Sequence, residues 1–152
     1  KITKEEQNLM DDMLETMYAA NGIGLAAIQI GIPKRIIVLD IGRDKDNKEP
    51  MYFVNPVIKE KNLTKSTYEE GCLSVPDQFA EIDRPSKCEV EYLNYYGEKK
   101  NLKAEGILAT CIQHELDHLE GILFIDYLSK LKKSIIIKQL SKKNKKIDRI
   151  VV

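Results

Sequence analysis

The sequence predicts an α+β protein: antiparallel β-sheets packed around a central helix, with further helices near the N- and C-termini. Three segments have helical apolar spacing, several others read as strands bounded by turn residues, and strands and helices do not alternate regularly. The chain has 152 residues, 43% of them hydrophobic and 32% charged, which is enough for one domain with its own core. We therefore expect residues 1–152 to form a single domain, in which 130–152 is a basic C-terminal helix and tail.

Three segments carry the helical pattern. Residues 4–20 repeat Leu and Met at helical intervals. Residues 105–119 are apolar on most faces and end shortly before a glycine, a residue type favoured just beyond helix ends. The third segment is 128–143. We expect its core-facing side to be formed by Leu128, Leu131, Ile135 and Leu140.

Strands are predicted from apolar runs and from alternation. The runs at 35–40 and 51–58 predict two strands, the second interrupted by an Asn-Pro pair that suits an edge or a bend. Segments 87–93 and 99–104 flank a glycine-containing turn and predict a hairpin. Segment 70–76 contains too many turn-forming residues to predict a regular element.

Charge is distributed unevenly although the net charge is zero. Residues 130–152 contain nine Lys or Arg and one Asp, so this segment carries +8 and the remainder −8. A lysine-rich stretch of this kind is either a solvated helix face or a surface for polyanions. We expect no DNA partner.

Cysteine usage and apolar run lengths indicate the compartment. The three cysteines, Cys72, Cys88 and Cys111, are an odd number without the spacing of a disulfide framework. The apolar runs are far shorter than a membrane span, and no secretory signal pattern is visible. We expect a cytoplasmic protein that does not contact a membrane.

Both histidines of the chain lie in the segment His114-Glu115-Leu116-Asp117-His118. Residues four apart share one face of a helix, so the imidazoles of His114 and His118 can converge on one metal ion. A glutamate directly after the first histidine can then exchange a proton with water at that metal. The apolar residues around the motif predict a buried helix, where these polar side chains need partners.

A third protein ligand is needed, and the sequence leaves several candidates. Downstream of His118 there is no histidine and no glutamate at the spacings of the common HExxH proteases. Cys111 is on the same helix but seven residues from His118, or about 10 Å. Cys88 is in a predicted strand and reads as a small buried hydrophobe. Cys72 follows a glycine that allows close approach of the backbone. Spacing alone leaves all three open.

Three segments taken together resemble one family. They are Gly-Ile-Gly-Leu-Ala-Ala-Ile-Gln at 22–29, Glu-Gly-Cys-Leu-Ser at 70–74 and Gln-His-Glu-Leu-Asp-His at 113–118. In this order and at about these separations they resemble the peptide deformylases, over roughly residues 11–127. The resemblance implies one catalytic domain that removes the N-formyl group from N-formylmethionyl nascent peptides and releases formate.

The resemblance also implies roles for individual residues. The metal ligands would be Cys72, His114 and His118. A metal-bound hydroxide would attack the formyl carbon, with Glu115 as general base and acid. Gln29 and the backbone N–H of Leu73 would stabilise the oxyanion. The cofactor would be one divalent ion, Fe²⁺ in the cell, with Zn²⁺, Ni²⁺ or Co²⁺ also able to occupy the site.

Further implied roles concern the surroundings of the metal. Glu70 and Arg84 would form a charged pair that supports the ligands. The peptide backbone would bond to Ile23, Gly24 and Gly71, and the methionine pocket would be lined by Ile107, Thr110 and Cys111.

Two further points follow from the resemblance. Phe79 stands where related bacterial enzymes often have a basic residue, which leaves the preference after formyl-Met open. The basic segment 131–146 resembles a C-terminal helix that docks on the ribosome.

Two alternative functions use the same ligands. One is a non-catalytic binding module stabilised by zinc. The other is a peptidase with the same metal centre.

Overall fold

The computed structural model describes residues 2–42 and 48–151. For residues 142–151 only the backbone is described. The α-helices are α1 (Lys4–Ala19), α2 (Gly106–Leu119) and α3 (Lys130–Val151). The strands are β1 (Gly24–Ala26), β2 (Ile36–Asp40), β3 (Pro50–Lys61), β4 (Lys65–Cys72), β5 (Val75–Pro85), β6 (Lys87–Leu93) and β7 (Lys99–Glu105). Two 3₁₀ turns occupy Ala27–Ile30 and Phe124–Tyr127. The predicted α+β class, with antiparallel sheets and helices near both ends, is confirmed.

The strands form two antiparallel sheets. The larger has the order β1-β2-β3-β6-β7, and the smaller is the β4–β5 hairpin. Helix α2 lies between them, since it contacts strands of the large sheet as well as β4 and β5. Residues on this helix can therefore meet residues from both sheets.

Strand β2 is buried on both faces because helices cover both sides of the large sheet. Ile37 and Leu39 pack in the cluster that contains α2 residues. Ile36 and Val38 pack in the opposite cluster, which includes three methionines of α1, Met10, Met13 and Met17. A strand covered on both faces reads as a continuous apolar run, which explains the sequence pattern at 35–40.

The end of β2 is fixed by Asp40, whose side chain is buried. Its carboxylate accepts hydrogen bonds from the Tyr18 hydroxyl and from the backbone N–H groups of Gly42 and Glu49, the last two at 2.7 and 3.0 Å. Burial raises the pKa of Asp40, but the bond from Tyr18 and the backbone bonds hold it below its usual value.

Most predicted elements agree with the structure within a few residues, although β3 and α3 are longer than predicted. The Asn-Pro pair marks a bend rather than an edge: the register shifts between Val54 and Val57, and Asn55 has a φ of 51°. Strand β3 pairs with β2 on one side and β6 on the other.

The prediction that 70–76 has no regular structure is wrong. The first residues of this segment are the end of β4, and its last residues are the start of β5. A tight turn at Leu73 and Ser74 joins the two strands. A register shift between Glu70 and Cys72 accommodates the irregular segment. Gly71 leaves room for the ring of Phe79, which would have to move if a Cβ were added, because the two would lie 2.6 Å apart.

The predicted inward face of α3 is partly wrong. Leu131 and Ile135 are 72% and 47% exposed, whereas Ile136 is buried against the hairpin side of the molecule. Leu128 and Leu140 pack there as predicted. Between residues 130 and 141, where side chains are described, the helix meets the rest of the protein along a narrow stripe, so this part does not form the wide apolar face expected for a core helix.

None of the described helices is long and apolar enough to cross a membrane.

Candidate metal centre and active site

The two histidines of α2 meet one cysteine from the hairpin. His114 and His118 are both buried, one turn apart on the face towards β4. The Cys72 Sγ, at the end of β4, lies 3.2 Å from His118 Nε2. One donor atom from each of the three residues falls within 4.8 Å of the others.

The donors suit a tetrahedral metal ion. Bonds of about 2.0–2.3 Å to nitrogen and sulfur separate neighbouring ligand atoms by about 3.5 Å. Burial raises the pKa of Cys72, but hydrogen bonds from His114 and His118 lower it to about 5, so the thiolate that a metal requires is favoured. The cluster therefore fits a divalent ion with one position left for water.

The other two cysteines lie apart from this cluster. Cys88 is on β6 in the core under α2. Cys111 is also buried, and burial raises the pKa of its thiol to about 12, which keeps it neutral. The structure therefore brings Cys72, among the three candidates, against the histidines.

His114 is held from behind by a buried charge network. Its Nδ1 lies 2.9 Å from Glu70 Oε1. Arg84 donates two hydrogen bonds to Glu70, at 2.7 and 3.0 Å. Burial raises the pKa of Glu70, but the bonds from His114 and Arg84 keep it below its usual range. The carboxylate fixes the proton on His114 Nδ1, which leaves Nε2 free for a ligand.

Glu115 is buried beside the histidines. Its Oε1 makes no hydrogen bond within the described part of the chain and lies 3.8 Å from His118 Nε2. Burial raises its pKa to about 7, against the opposing effect of both histidines. A Cβ on Gly24 would lie 2.5 Å from Glu115 Oε2, so the carboxylate reaches this position because strand β1 has a glycine there.

Gln29 approaches the cluster from the 3₁₀ turn after β1. Its Oε1 accepts a hydrogen bond from the backbone N–H of Ala26 at 2.8 Å, which orients the amide. Its Nε2 lies 2.9 Å from Ser74 Oγ and 3.5 Å from Cys72 Sγ. Leu73, the other predicted oxyanion donor, is in the turn between Cys72 and Ser74.

A cavity of about 540 Å³ opens in front of these residues. Its lining includes the six predicted substrate-binding residues Ile23, Gly24, Gly71, Ile107, Thr110 and Cys111. It also includes Glu70, Cys72, Leu73, His114 and Glu115. Gln29, His118 and Arg84 lie behind the lining and contact it through Cys72 or Glu70.

The mouth of the cavity is apolar. Ile23, Leu73, Phe79 and Ile107 all line it and are 39–64% exposed. Deeper in, the hydroxyl of Thr110 is buried and lacks a hydrogen bond to the described residues. Exposed apolar side chains around a concave site with a few polar groups are typical of a ligand pocket.

Sequence reasoning missed three residues next to the centre. Asp117 accepts a hydrogen bond from Arg84 at 2.7 Å and another from Tyr127 at 2.7 Å. The ring of Phe124 stacks on His114, with centroids 6.2 Å apart. Asp117 could have been noticed because it lies inside the histidine motif, whereas Tyr127 and Phe124 carry no sequence signal of their own.

A Cys/His₂ donor set, a buried glutamate whose Oε1 makes no hydrogen bond to the described residues and a substrate-sized cavity together define a metal-dependent hydrolase. The comparisons with known proteins specify which one. The family model "Polypeptide deformylase" matches residues 1–134. The chain belongs to the peptide deformylase family.

Individual relatives agree with this assignment. The peptide deformylase of Pelagibacter ubique (strain HTCC1062) is 76% identical over 151 residues, which cover 99% of this chain and 87% of that protein. The crystal structure of peptide deformylase from Ehrlichia chaffeensis has a TM-score of 0.90 at 41% identity and covers 96% of this chain and 87% of that one. The same enzyme in complex with actinonin has a TM-score of 0.88 at 43% identity, covering 94% and 86%.

The predicted activity is confirmed at the level of the family. Peptide deformylases are metal-dependent hydrolases that remove N-formyl groups from nascent peptides, and this chain is such an enzyme. This assignment agrees with the sequence, in which no third ligand follows His118 at the spacings of the common HExxH proteases.

Proposed function

We propose that Cys72, His114 and His118 hold one divalent metal ion and that formylmethionyl peptides are hydrolysed in front of it. The observation that carries this proposal is the convergence of their three donor atoms within 4.8 Å, with Cys72 and His114 lining the cavity and His118 directly behind them. When bound, the ion supplies a Lewis acid that makes water nucleophilic near neutral pH.

Glu115 is the proton carrier in this proposal. Its pKa of about 7, raised by burial, lets it both accept and release a proton near neutrality. It takes a proton from the attacking water as the oxygen bonds to the formyl carbon. The C–N bond then breaks, the proton passes to the leaving amine, and formate is released.

Gln29 and the backbone N–H of Leu73 stabilise the negative charge that develops on the formyl oxygen. Support comes from the orientation of the Gln29 amide, whose oxygen is fixed by the N–H of Ala26 while its NH₂ group points towards Cys72 and Ser74. A donor fixed before the reaction does not have to reorganise during it, and losing one costs about 10²–10³ in turnover.

The cavity binds the peptide. Ile107, Thr110 and Cys111 on α2 surround the methionine side chain, whose apolar thioether suits their partly apolar surface. Ile23, Gly24 and Gly71 bond the peptide backbone as in strand addition. Actinonin, which is bound to the Ehrlichia chaffeensis enzyme, is expected to compete with substrate here.

Fe²⁺ is the metal we propose for the cell. A thiolate with two imidazoles suits iron or zinc, and nickel or cobalt can also occupy such a site. Protein purified anaerobically and aerobically should differ in activity and in iron content if Fe²⁺ is the native ion. If the anaerobic and aerobic preparations were equally active and contained only zinc, the proposal that Fe²⁺ is the native ion would be contradicted.

The deciding experiment measures formate release from formyl-Met-Ala by anaerobically purified protein. Glu115→Ala should lose nearly all formate release while it keeps its fold and one metal per chain, because only the proton carrier is removed. Glu15→Ala, an exposed position on α1, is the matched control and should be unchanged.

Two outcomes would contradict the proposal. Full activity of Glu115→Ala would indicate a metal that serves structure only. Equal cleavage of unformylated Met-Ala would indicate a peptidase.

We further propose that this enzyme acts in the cytoplasm and docks on the ribosome through α3, as part of a single domain spanning 1–152. Leu131 and Ile135 are exposed on this helix beside exposed lysines such as Lys132 and Lys138. Basic residues next to apolar ones suit a surface of RNA and protein, with binding that weakens as salt rises. The described Cys72, Cys88 and Cys111 are free thiols, consistent with a reducing compartment.

Charge reversal tests the docking. Lys132→Glu combined with Lys138→Glu should reduce co-sedimentation with ribosomes, whereas Lys100→Glu with Lys103→Glu, exposed on β7, changes the net charge equally and should not. Undiminished co-sedimentation after removal of residues 130–152 would rule the docking out.

A further inference from the structure

The 3₁₀ turn Phe124–Tyr127 contacts the metal centre at two points, and the proposed function gives it no role. We propose that Tyr127 and Asp117 are positioning residues that hold His114 in place through Arg84 and Glu70. The inference rests on the proposed metal site and extends it to residues outside the cavity.

The chain of contacts begins at the buried guanidinium. The side chain of Arg84 is 4% exposed and binds two carboxylates at once. Its Nε and one terminal nitrogen donate to Glu70, and the other terminal nitrogen donates to Asp117 Oδ2 at 2.7 Å. Because a guanidinium is planar and rigid, fixing one side of it fixes the direction of the other.

Tyr127 closes this network at its solvent side. Its hydroxyl donates to Asp117 Oδ2 at 2.7 Å, the same oxygen that accepts from Arg84. Its ring lies over the Arg84 guanidinium, 4.7 Å from centroid to Cζ. The residue is half exposed, so the ring also separates the guanidinium from water.

The other end of the network determines the orientation of His114. Glu70 Oε1 lies 2.9 Å from its Nδ1, and the ring of Phe124 stacks on its face at an interplanar angle of 22°. Glu70 thus holds the edge of the imidazole, and Phe124 covers its face. Glu70 is in turn held by Arg84, which is bound by Asp117 and covered by Tyr127. Groups that orient a ligating histidine commonly contribute 10–100-fold to metal affinity.

A purely structural role is the alternative reading of the same contacts. In that reading the network only attaches the β4–β5 hairpin to α2, and its loss lowers stability without changing how His114 meets a ligand. The two readings differ in the rate at which a bound metal leaves the folded protein.

The experiment uses the full chain loaded with Co²⁺, whose visible absorption reports ligand geometry. Transfer of Co²⁺ to an excess of chelator is measured for wild type, Tyr127→Phe and Asp117→Asn. Tyr127→Phe keeps the ring and loses only the hydroxyl, and we expect release to accelerate about 3–10-fold. Asp117→Asn removes the charge that binds Arg84, and we expect about 10–100-fold.

Tyr95→Phe is the matched control. It also removes a tyrosine hydroxyl that bonds an aspartate, Asp11, at 3.1 Å on the α1 side of the molecule. Release of Co²⁺ and its spectrum should be unchanged in this variant.

Each outcome decides between the readings. Faster release in Tyr127→Phe, with an altered spectrum and a control like wild type, supports the inference. A lower unfolding temperature with unchanged release and spectrum overturns it, and Tyr127→Phe gives this answer even if Asp117→Asn does not fold. Wild-type protein that binds no Co²⁺ would overturn the proposed metal site itself, and the inference with it.

Discussion

The five-stranded sheet and the β4–β5 hairpin flank the same helix but are attached to it by different forces. The large sheet packs apolar side chains on α2 through residues such as Ile37, Leu39 and Phe53, each at most 1% exposed. The hairpin meets α2 through a buried ion network in which Arg84 joins Glu70 and Asp117. Apolar packing is tolerant of small shifts, whereas hydrogen-bonded charges fix direction. We therefore expect the sheet to supply mainly stability and the hairpin to set the geometry of the proposed metal ligands.

The strongest test of this difference is Arg84→Met, which removes the cation that lies between the buried carboxylate of Glu70 and the partly buried carboxylate of Asp117. We expect a loss of about 3–5 kcal/mol in unfolding free energy together with faster metal release. Urea unfolding and chelator transfer measure the two effects.

Arg35→Met is the control for this experiment. Arg35 pairs with Glu120 where the side chains are 45% and 64% exposed, so its loss should cost about 0–1 kcal/mol. Similar small losses in both variants would mean that the hairpin does not depend on the network.

Asp40→Asn probes a charged group that belongs to the large sheet. The pKa of Asp40 is lowered in the folded protein, so its contribution is fully present above the unfolded pKa near 4 and is lost as pH falls through the folded pKa. We expect about 1.5–3 kcal/mol of destabilisation at pH 7, and a smaller further loss between pH 7 and pH 3 than in wild type.

Metal release at pH 7 separates this site from the hairpin network. It should be the same in Asp40→Asn as in wild type, because Asp40 contacts Tyr18 and the loop after β2. An accelerated release would show that the two regions are coupled.

The smallest expected effect comes from one methyl group removed in each region. Ile36→Val in β2 and Ile82→Val in β5 are equally buried and should each cost about 0.5–1.5 kcal/mol. Ile82 packs in the cluster that contains Phe124, which stacks on His114, so only this variant should alter the Co²⁺ spectrum. If both variants gave the wild-type Co²⁺ spectrum, the apolar packing of the hairpin would have no effect on ligand geometry, and only its charged residues would.

The same contrast explains which parts of the fold were predictable from sequence. Four of the five strands of the large sheet, β2, β3, β6 and β7, were predicted because burial on one or both faces leaves alternating or continuous apolar patterns, whereas the three-residue strand β1 is too short to show one. The hairpin was not, since β4 has few buried positions and its pattern is dominated by polar residues and glycine. In α3 the spacing identified the helix, but the choice of Ile136 over Ile135 as the buried residue depends on the hairpin beneath it.

The site shows a similar division. Spacing within one helix indicated His114, Glu115 and His118, because periodicity converts sequence distance into spatial distance there. Spacing could not select Cys72, which is brought in by a strand pairing, and only the family resemblance implied it. Tyr127 reaches the site through a hydrogen bond from its hydroxyl to Asp117. The periodicity of a single sequence does not indicate a contact of this kind.

The proposed metal donors come from two elements, Cys72 from β4 and both histidines from α2, and Cys72 and His118 lie 46 positions apart in the chain. An unfolded chain offers at most the two histidines together, so metal binds the folded form far more tightly. By mass action, a free metal concentration 100 times the dissociation constant adds about 2.7 kcal/mol to folding. With the proposed metal site filled in the cell, the lifetime of this enzyme would be set partly by metal supply, because chains without metal would unfold more often and be exposed to proteolysis.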